Sequence, residues 1–191
     1  MIGVLAEIDL VVVDVETTGW APDLAEITEI GAVRLSGGRR TGEFSTLLRP
    51  AGPIPDDIRR LTGISEDLVR RAPLASTALP AFLAFASDCV IVAHNAPFDL
   101  AFLAATCASA GLSWPACAVL DTAVLARLLL GPDDVADCRL ATLARYFRTA
   151  TPPCHRALAD AKATAEVLTG LLRIAAHARD DVGEALSSMA S

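Results

Sequence analysis

Basic charge is scarce in this chain of 191 residues: acids outnumber bases 23 to 16, which leaves a formal net charge of −7. A body so acidic does not grip a polyanion by diffuse attraction alone. Among the basic residues, Lys162 is the single lysine. The arginine pairs at 39–40, 59–60 and 70–71 offer planar guanidinium groups suited to local phosphate contacts. No two of the five cysteines form a Cys-x-x-Cys pair. That excludes the usual zinc cluster, and an odd, scattered set argues against a disulfide framework. Cys89, Cys107, Cys117, Cys138 and Cys154 read instead as buried thiols in a reducing compartment. No apolar run reaches membrane-spanning length, and the N-terminus lacks the basic start of a signal peptide. Repeats and low-complexity blocks are absent too. The expectation is a cytoplasmic protein with no membrane partner.

What is present is hydrophobic content of 53%, enough for one domain with a proper core. The apolar, β-branched run Val11-Val12-Val13 leads into Asp14-Val15-Glu16-Thr17-Thr18-Gly19. It reads as a buried strand that ends in acids. Side chains alternate along a strand, so Asp14 and Glu16 project from one face. Paired carboxylates beside a sheet core are costly unless a cation joins them. Oxygen-only donors suit Mg²⁺ or Mn²⁺ rather than zinc. The alternative is a strand that ends in a solvated acidic turn.

Further along, residues 27–35 form a second strand, and Gly37-Gly38 a hairpin turn. Glu43 to Arg49 form a third strand, stopped by Pro50 and completing an antiparallel meander. Helices follow: one from Pro55-Asp56, another capped at Ser65 after a break at LTGIS, and a third over Leu79–Ala86. Cys89–Ala93 is a strand buried on both faces, and it leads into a helix that has Pro97 as its first residue and ends at Gly111. A short strand at 118–120 precedes a helix capped by Asp121-Thr122. A helix near 140–147 and a long one from about His155 to Ala176 complete the pattern. The expected division is a unit over 1–176, with 177–191 a frayed tail or linker. A meander followed by alternating strands and helices implies a mixed sheet with helices packed on it, and a site at the carboxyl ends of the strands.

Two more acidic segments fall where such a site would form. Asp99 lies just inside the helix after the 89–93 strand, where dipole compensation alone would explain an acid. Asp160 shares a mostly apolar helix face with Thr164, Val167, Leu168 and Leu171. An acid there needs a partner such as a metal. His155, at the start of that helix, suits a mobile base, or else a surface cap.

The segments VDVETTG, HNAPFDLAFL and HRALADAKATAEVL, in this order and spacing, closely resemble the three motifs of the DEDDh exonucleases. These are 3′→5′ exonucleases similar to the proofreading epsilon subunit of bacterial DNA polymerase III. The resemblance covers about residues 9–175, and EITEIGAVRL, LTGIS, LDTAVLAR and LATLARYF match secondary family segments. It departs at Thr62, where many relatives carry His-Gly-Ile. The family implies an α/β, ribonuclease H-like fold with a mixed five-stranded sheet flanked by helices. It assigns Asp14, Glu16, Asp99 and Asp160 to two divalent cations, Mg²⁺ or Mn²⁺, and general-base work to His155. Thr17, Thr18, Thr62, His94, Asn95 and Phe98 become candidate contacts to the terminal nucleotide, with plain core packing an equal alternative for Phe98. The implied substrate is nucleic acid with a free 3′ end, single-stranded DNA foremost, and the implied partner a DNA polymerase subunit. Three other readings stay open. One is a non-catalytic module that scaffolds a polymerase or repair complex, and another an RNA-trimming exoribonuclease of the same family. The third is a haloacid-dehalogenase-type phosphatase, which would leave HNAPFD and the His155–Asp160 segment unexplained.

Overall fold

Two apolar faces on one sheet organise the molecule. The computed structural model describes residues 8–189, with side chains through His177. Strand β1 (Leu10–Thr17) is central, flanked by β2 (Ile27–Ser36) and by β4 (Val90–Ala93), with β3 (Arg39–Leu47) and β5 (Val119–Asp121) at the edges. The order is β3-β2-β1-β4-β5. The first three strands pair antiparallel, and β4 and β5 parallel to β1, giving the expected mixed sheet.

Alternation along β1 divides the core. Val11, Val13 and Val15 face one side, packed with Ile30, Phe82, Phe102 and Leu103. Leu10 and Val12 face the other, with Val33, Leu35, Ala161, Ala165 and Leu168. Each such side chain, fully buried, contributes about 1.5–3 kcal/mol. Asp14 and Glu16 continue the even-numbered series, so they emerge on the second face, just past its apolar part.

The helices are α1 (Asp56–Thr62), α2 (Glu66–Val69), α3 (Ala75–Phe85), α4 (Ala96–Ser109), α5 (Thr122–Leu129), α6 (Leu140–Phe147) and α7 (Ala157–Met189). Several stops follow the sequence. Gly63 closes α1 in the left-handed conformation, and Ser65 caps α2 by accepting the Leu68 N–H at 3.3 Å. Asp121 caps α5 by accepting the N–H groups of Ala123 and Val124.

Other boundaries differ from expectation. β3 starts at Arg39 and ends at Leu47 rather than running from 43 to 49. It is a half-exposed edge strand whose first residues are polar, so no apolar alternation marks its beginning. Helix α3 begins at Ala75 and carries Pro80 inside it. Ala96, not Pro97, is the first residue of α4. The α7 backbone starts at Ala157 and runs on to Met189, through most of the stretch read as a frayed tail or linker. Residues 190–191 lie outside the described residues. Alanine, leucine, arginine and glutamate in that stretch are strong helix formers.

α7 crosses the second face of the sheet, and Gly31 sets how closely it can do so. A Cβ at position 31 would lie 2.1 Å from the Leu158 nitrogen and 2.2 Å from the Ala157 carbonyl carbon. Gly31 pairs with Asp14 in the β1–β2 register. The first turn of α7 therefore rests on backbone directly beside Asp14, which brings its acid within reach of β1.

Candidate active site

The three acidic segments meet in one cleft of about 1070 Å³ at the carboxyl end of β1. Asp14 and Glu16 enter from β1, Asp99 from the first turn of α4, and His155 and Asp160 from the start of α7. One ligand atom each from Glu16, His155 and Asp160 lies within 4.8 Å of the others. Asp14 and Asp99 line the same cleft beside that trio.

Backbone N–H groups position two of the acids. Beyond the last β1–β4 pair, Val12 with Val92, Asp99 Oδ1 accepts the Val15 N–H at 3.1 Å. That bond ties the α4 acid to the residue between the two β1 acids. Asp160 Oδ1 accepts the Cys154 N–H at 2.8 Å, and the backbone of His155 and Arg156 also turns toward this carboxylate. The turn requires His155 to take a φ of 55°, in the left-handed region. Its ring stays exposed and, among the described residues, has no hydrogen-bond partner. The first N–H of α7, that of Ala157, goes to Glu29 Oε2 at 3.0 Å.

Charge in the cleft is poorly balanced. Burial, reinforced by Asp99, Asp160, Glu16 and Glu29, holds the Asp14 carboxyl well above its ordinary value. Glu16 is pushed up to about 8, first by burial and then by Asp160, Glu29 and Asp99. Asp99 is raised to about 7 by burial, with the Val15 N–H opposing. Burial also raises Asp160. The nearest cation, Arg156, is already held by Glu29 in a two-pronged pair at 2.7 and 2.9 Å. Among the described residues, the four carboxylates thus converge with no ion-pair partner within 4.0 Å. This donor set, oxygen-rich with one imidazole, fits hard divalent cations.

The other sequence candidates are distributed around this centre. Thr17, Thr62, His94, Asn95 and Phe98 all line the cleft; Thr18 does not. The Thr18 hydroxyl accepts the Glu26 N–H at 2.9 Å and so closes the 18–26 loop. Thr17 Oγ1 donates to the Gly19 carbonyl at 2.5 Å. Thr62 Oγ1 donates to the Ile58 carbonyl and accepts the Ile64 N–H, both at 3.0 Å, so its polar atom is engaged locally. His94 Nδ1 sits 2.9 Å from Thr122 Oγ1, and burial pushes its imidazole below the ordinary value. Asn95 adopts φ 67° at the N-cap of α4, leaving its side chain exposed at the cleft. Phe98 packs 4.9 Å from Phe102 and also lines the cleft.

Some supporting residues were not singled out from sequence. Glu29 and Arg156 anchor α7 across 127 positions of chain. Asp121, read only as a cap for α5, also accepts the N–H groups of Asn95 and Ala96 at 3.1 and 3.0 Å. One carboxylate therefore joins the starts of α4 and α5. The only signal for Glu29 was an acid inside an apolar strand.

A family model for exonucleases, RNase_T, matches residues 11–168. The chain belongs to this exonuclease family. Over 176 residues it is 48% identical to a Mycobacterium tuberculosis protein named as a bifunctional exonuclease/endonuclease, covering 88% of this chain and 27% of that one. It is 43% identical to a PolC-type DNA polymerase III of Caldanaerobacter subterraneus, covering 86% of this chain and 12% of the polymerase. The chain thus spans about a quarter or less of these relatives. Exonuclease X, solved with 5′-overhanging duplex DNA, superposes with a TM-score of 0.70 at 27% identity, covering 86% of this chain and 91% of that one. The mixed five-stranded sheet flanked by helices is the ribonuclease H-like arrangement of these DEDDh-type exonucleases. Among the described residues, no helix is long and apolar enough to cross a membrane.

Proposed function

We propose that this chain is a metal-dependent 3′→5′ exonuclease that releases nucleoside 5′-monophosphates from single-stranded or mispaired 3′ ends of DNA, in proofreading or repair. The observation that carries this reading is the convergence of Asp14, Glu16, Asp99, His155 and Asp160, from three distant segments, on one cleft. The similarity to a PolC-type polymerase favours DNA and a polymerase partner.

In this reading the four carboxylates hold Mg²⁺ or Mn²⁺. Bound there, the cations supply charge neutralisation and Lewis acidity at the scissile phosphate. The carboxylates provide oxygen donors already positioned by the Val15 and Cys154 N–H groups. The exposed ring of His155 accepts the proton of the attacking water. Water adds to phosphorus, and the bond to the 3′-oxygen of the remaining strand breaks. Thr17, His94, Asn95 and Phe98 form the wall against which the terminal nucleotide rests. A paired end costs a few kcal/mol to open, so frayed and mispaired ends react faster.

The test is digestion of matched single-stranded DNA, mispaired duplex, fully paired duplex and short RNA of the same sequence. The reading expects single-stranded and mispaired DNA to be shortened fastest. Preference for RNA would move the chain to exoribonuclease work. No hydrolysis of any of the four in Mn²⁺ would leave a scaffolding module.

A further inference from the structure

The cleft that gathers four acids must still admit a polyanion, and two arginines in its lining carry the means. Arg127, on the last turn of α5, and Arg139, the residue before α6, both line the cleft that holds the acidic centre. Both are exposed. Among the described residues Arg127 has no ion-pair partner within 4.0 Å, and Arg139 is only 3.8 Å from Asp137, with its side chain 86% exposed. Two other arginines close to the site are engaged. Arg156 is held by Glu29, and Arg59 by Asp56 and Glu66.

Where these two sit is fixed by the fold. His94 at the end of β4 bonds Thr122 at the start of α5. Cys138, in the loop before α6, lines the cleft together with His94. A second, smaller groove of about 290 Å³, lined by Arg127, Asp137, Cys138 and Gly131, continues from the cleft past α5. Arg127 borders both spaces. A strand with its terminal phosphodiester at the acids would run its next phosphate along this wall.

We propose that Arg127, seconded by Arg139, holds the backbone phosphate next to the scissile one and so sets where a strand lies in the cleft. The proposal rests on the exonuclease reading and adds to it a positioning role for residues outside the acidic motifs. Guanidinium groups suit this task because they present a planar pair of donors to phosphate oxygens.

The experiment compares two substrates on the same protein in Mn²⁺. One is a single-stranded DNA oligonucleotide. The other is the p-nitrophenyl ester of thymidine 5′-phosphate, which carries a scissile phosphate and no neighbouring one. In Arg127→Gln/Arg139→Gln, the oligonucleotide KM should rise about tenfold, with a smaller change in kcat. The ratio of kcat/KM for oligonucleotide over ester should fall by a similar factor. The slope of log KM against log salt should drop by about 0.7 for each phosphate that an arginine no longer neutralises. Arg127→Lys/Arg139→Lys, which keeps the charge, should recover most of the affinity and salt slope. An unchanged oligonucleotide KM and salt slope would overturn the proposal. So would an equal loss on both substrates, which would place these arginines at the scissile phosphate or in the folding of the wall. If the wild-type protein hydrolyses neither substrate, the nuclease reading itself fails, and this proposal with it.

Discussion

Replacing Gly31 by alanine drives a methyl group into the backbone of α7, and the consequences follow from the distances. The new Cβ would lie 2.1 Å from the Leu158 nitrogen and 2.5 Å from the Ala157 carbonyl oxygen, where ordinary contact begins at 3.4 Å. Neither atom belongs to a flexible side chain. The first turn of α7 must therefore withdraw by about 1 Å. Overpacking of this kind costs about 1–3 kcal/mol, which for a chain of this size is roughly 3–10 °C in melting temperature. The same withdrawal carries His155 and Asp160 away from Glu16. A misplacement near 1 Å costs on the order of 10²-fold in rate. The assay pairs thermal unfolding with nuclease turnover in Mn²⁺, using Gly42→Ala as a control. At Gly42 the nearest atom is a Phe85 ring carbon at 3.2 Å, which can shift. We expect the control to stay within about 2 °C and threefold in rate. A Gly31→Ala protein with wild-type melting temperature and turnover would refute the claim that this glycine sets the approach of α7.

Other expectations follow from the same geometry. Glu16 is raised from 4.5 to about 8 in the folded protein, so without metal its ionisation opposes folding. The metal-free melting temperature should fall as pH rises from about 4.5 to 8. Glu16→Gln should remove part of that decline, and a Glu16→Gln protein less stable than wild type at pH 8 would contradict it. Removing the guanidinium with Arg156→Ala leaves Glu29 buried and unpaired, which should cost about 3 kcal/mol in denaturant unfolding; a loss below 0.5 kcal/mol would count against the anchor. His155→Ala should lower kcat by roughly 10²–10⁴-fold in a single-turnover assay. Near-normal turnover would make His155 a bystander. Thr28 is buried with no partner for its hydroxyl, so Thr28→Val should raise the melting temperature by a few degrees.

Much of the frame could be read from pattern because it depends on local chemistry. The alternation through Val11–Glu16 placed both acids on one face, and β1 presents them there. Helix α6 falls at Leu140–Phe147, where the 3.6-residue pattern put it. The Ser65 and Asp121 caps act where their side chains suggested. What escaped depends on atoms far apart in sequence. Nothing near Glu29 reveals that its partner is Arg156, and a glycine in an apolar strand does not announce a helix resting on it. The hydroxyls of Thr18 and Thr62 are taken up by nearby turns, a matter of loop geometry rather than residue type. The first residues of β3 are polar because an edge strand meets solvent. Arg127 lies within a segment that matched the family, yet only the fold brings it into one cleft with the acids.

Central to this account is metal-dependent removal of single nucleotides from a 3′ end by the acids of the cleft. The most direct measurement follows a linear single-stranded DNA labelled at its 5′ end, incubated with wild type in Mg²⁺ or Mn²⁺, wild type in EDTA, and Asp14→Asn. The account predicts a ladder that shortens one nucleotide at a time with metal, nucleoside 5′-monophosphates as product, and essentially intact DNA in the other two reactions. A full rate in EDTA, undiminished digestion by Asp14→Asn, or immediate release of the labelled 5′ end would contradict it.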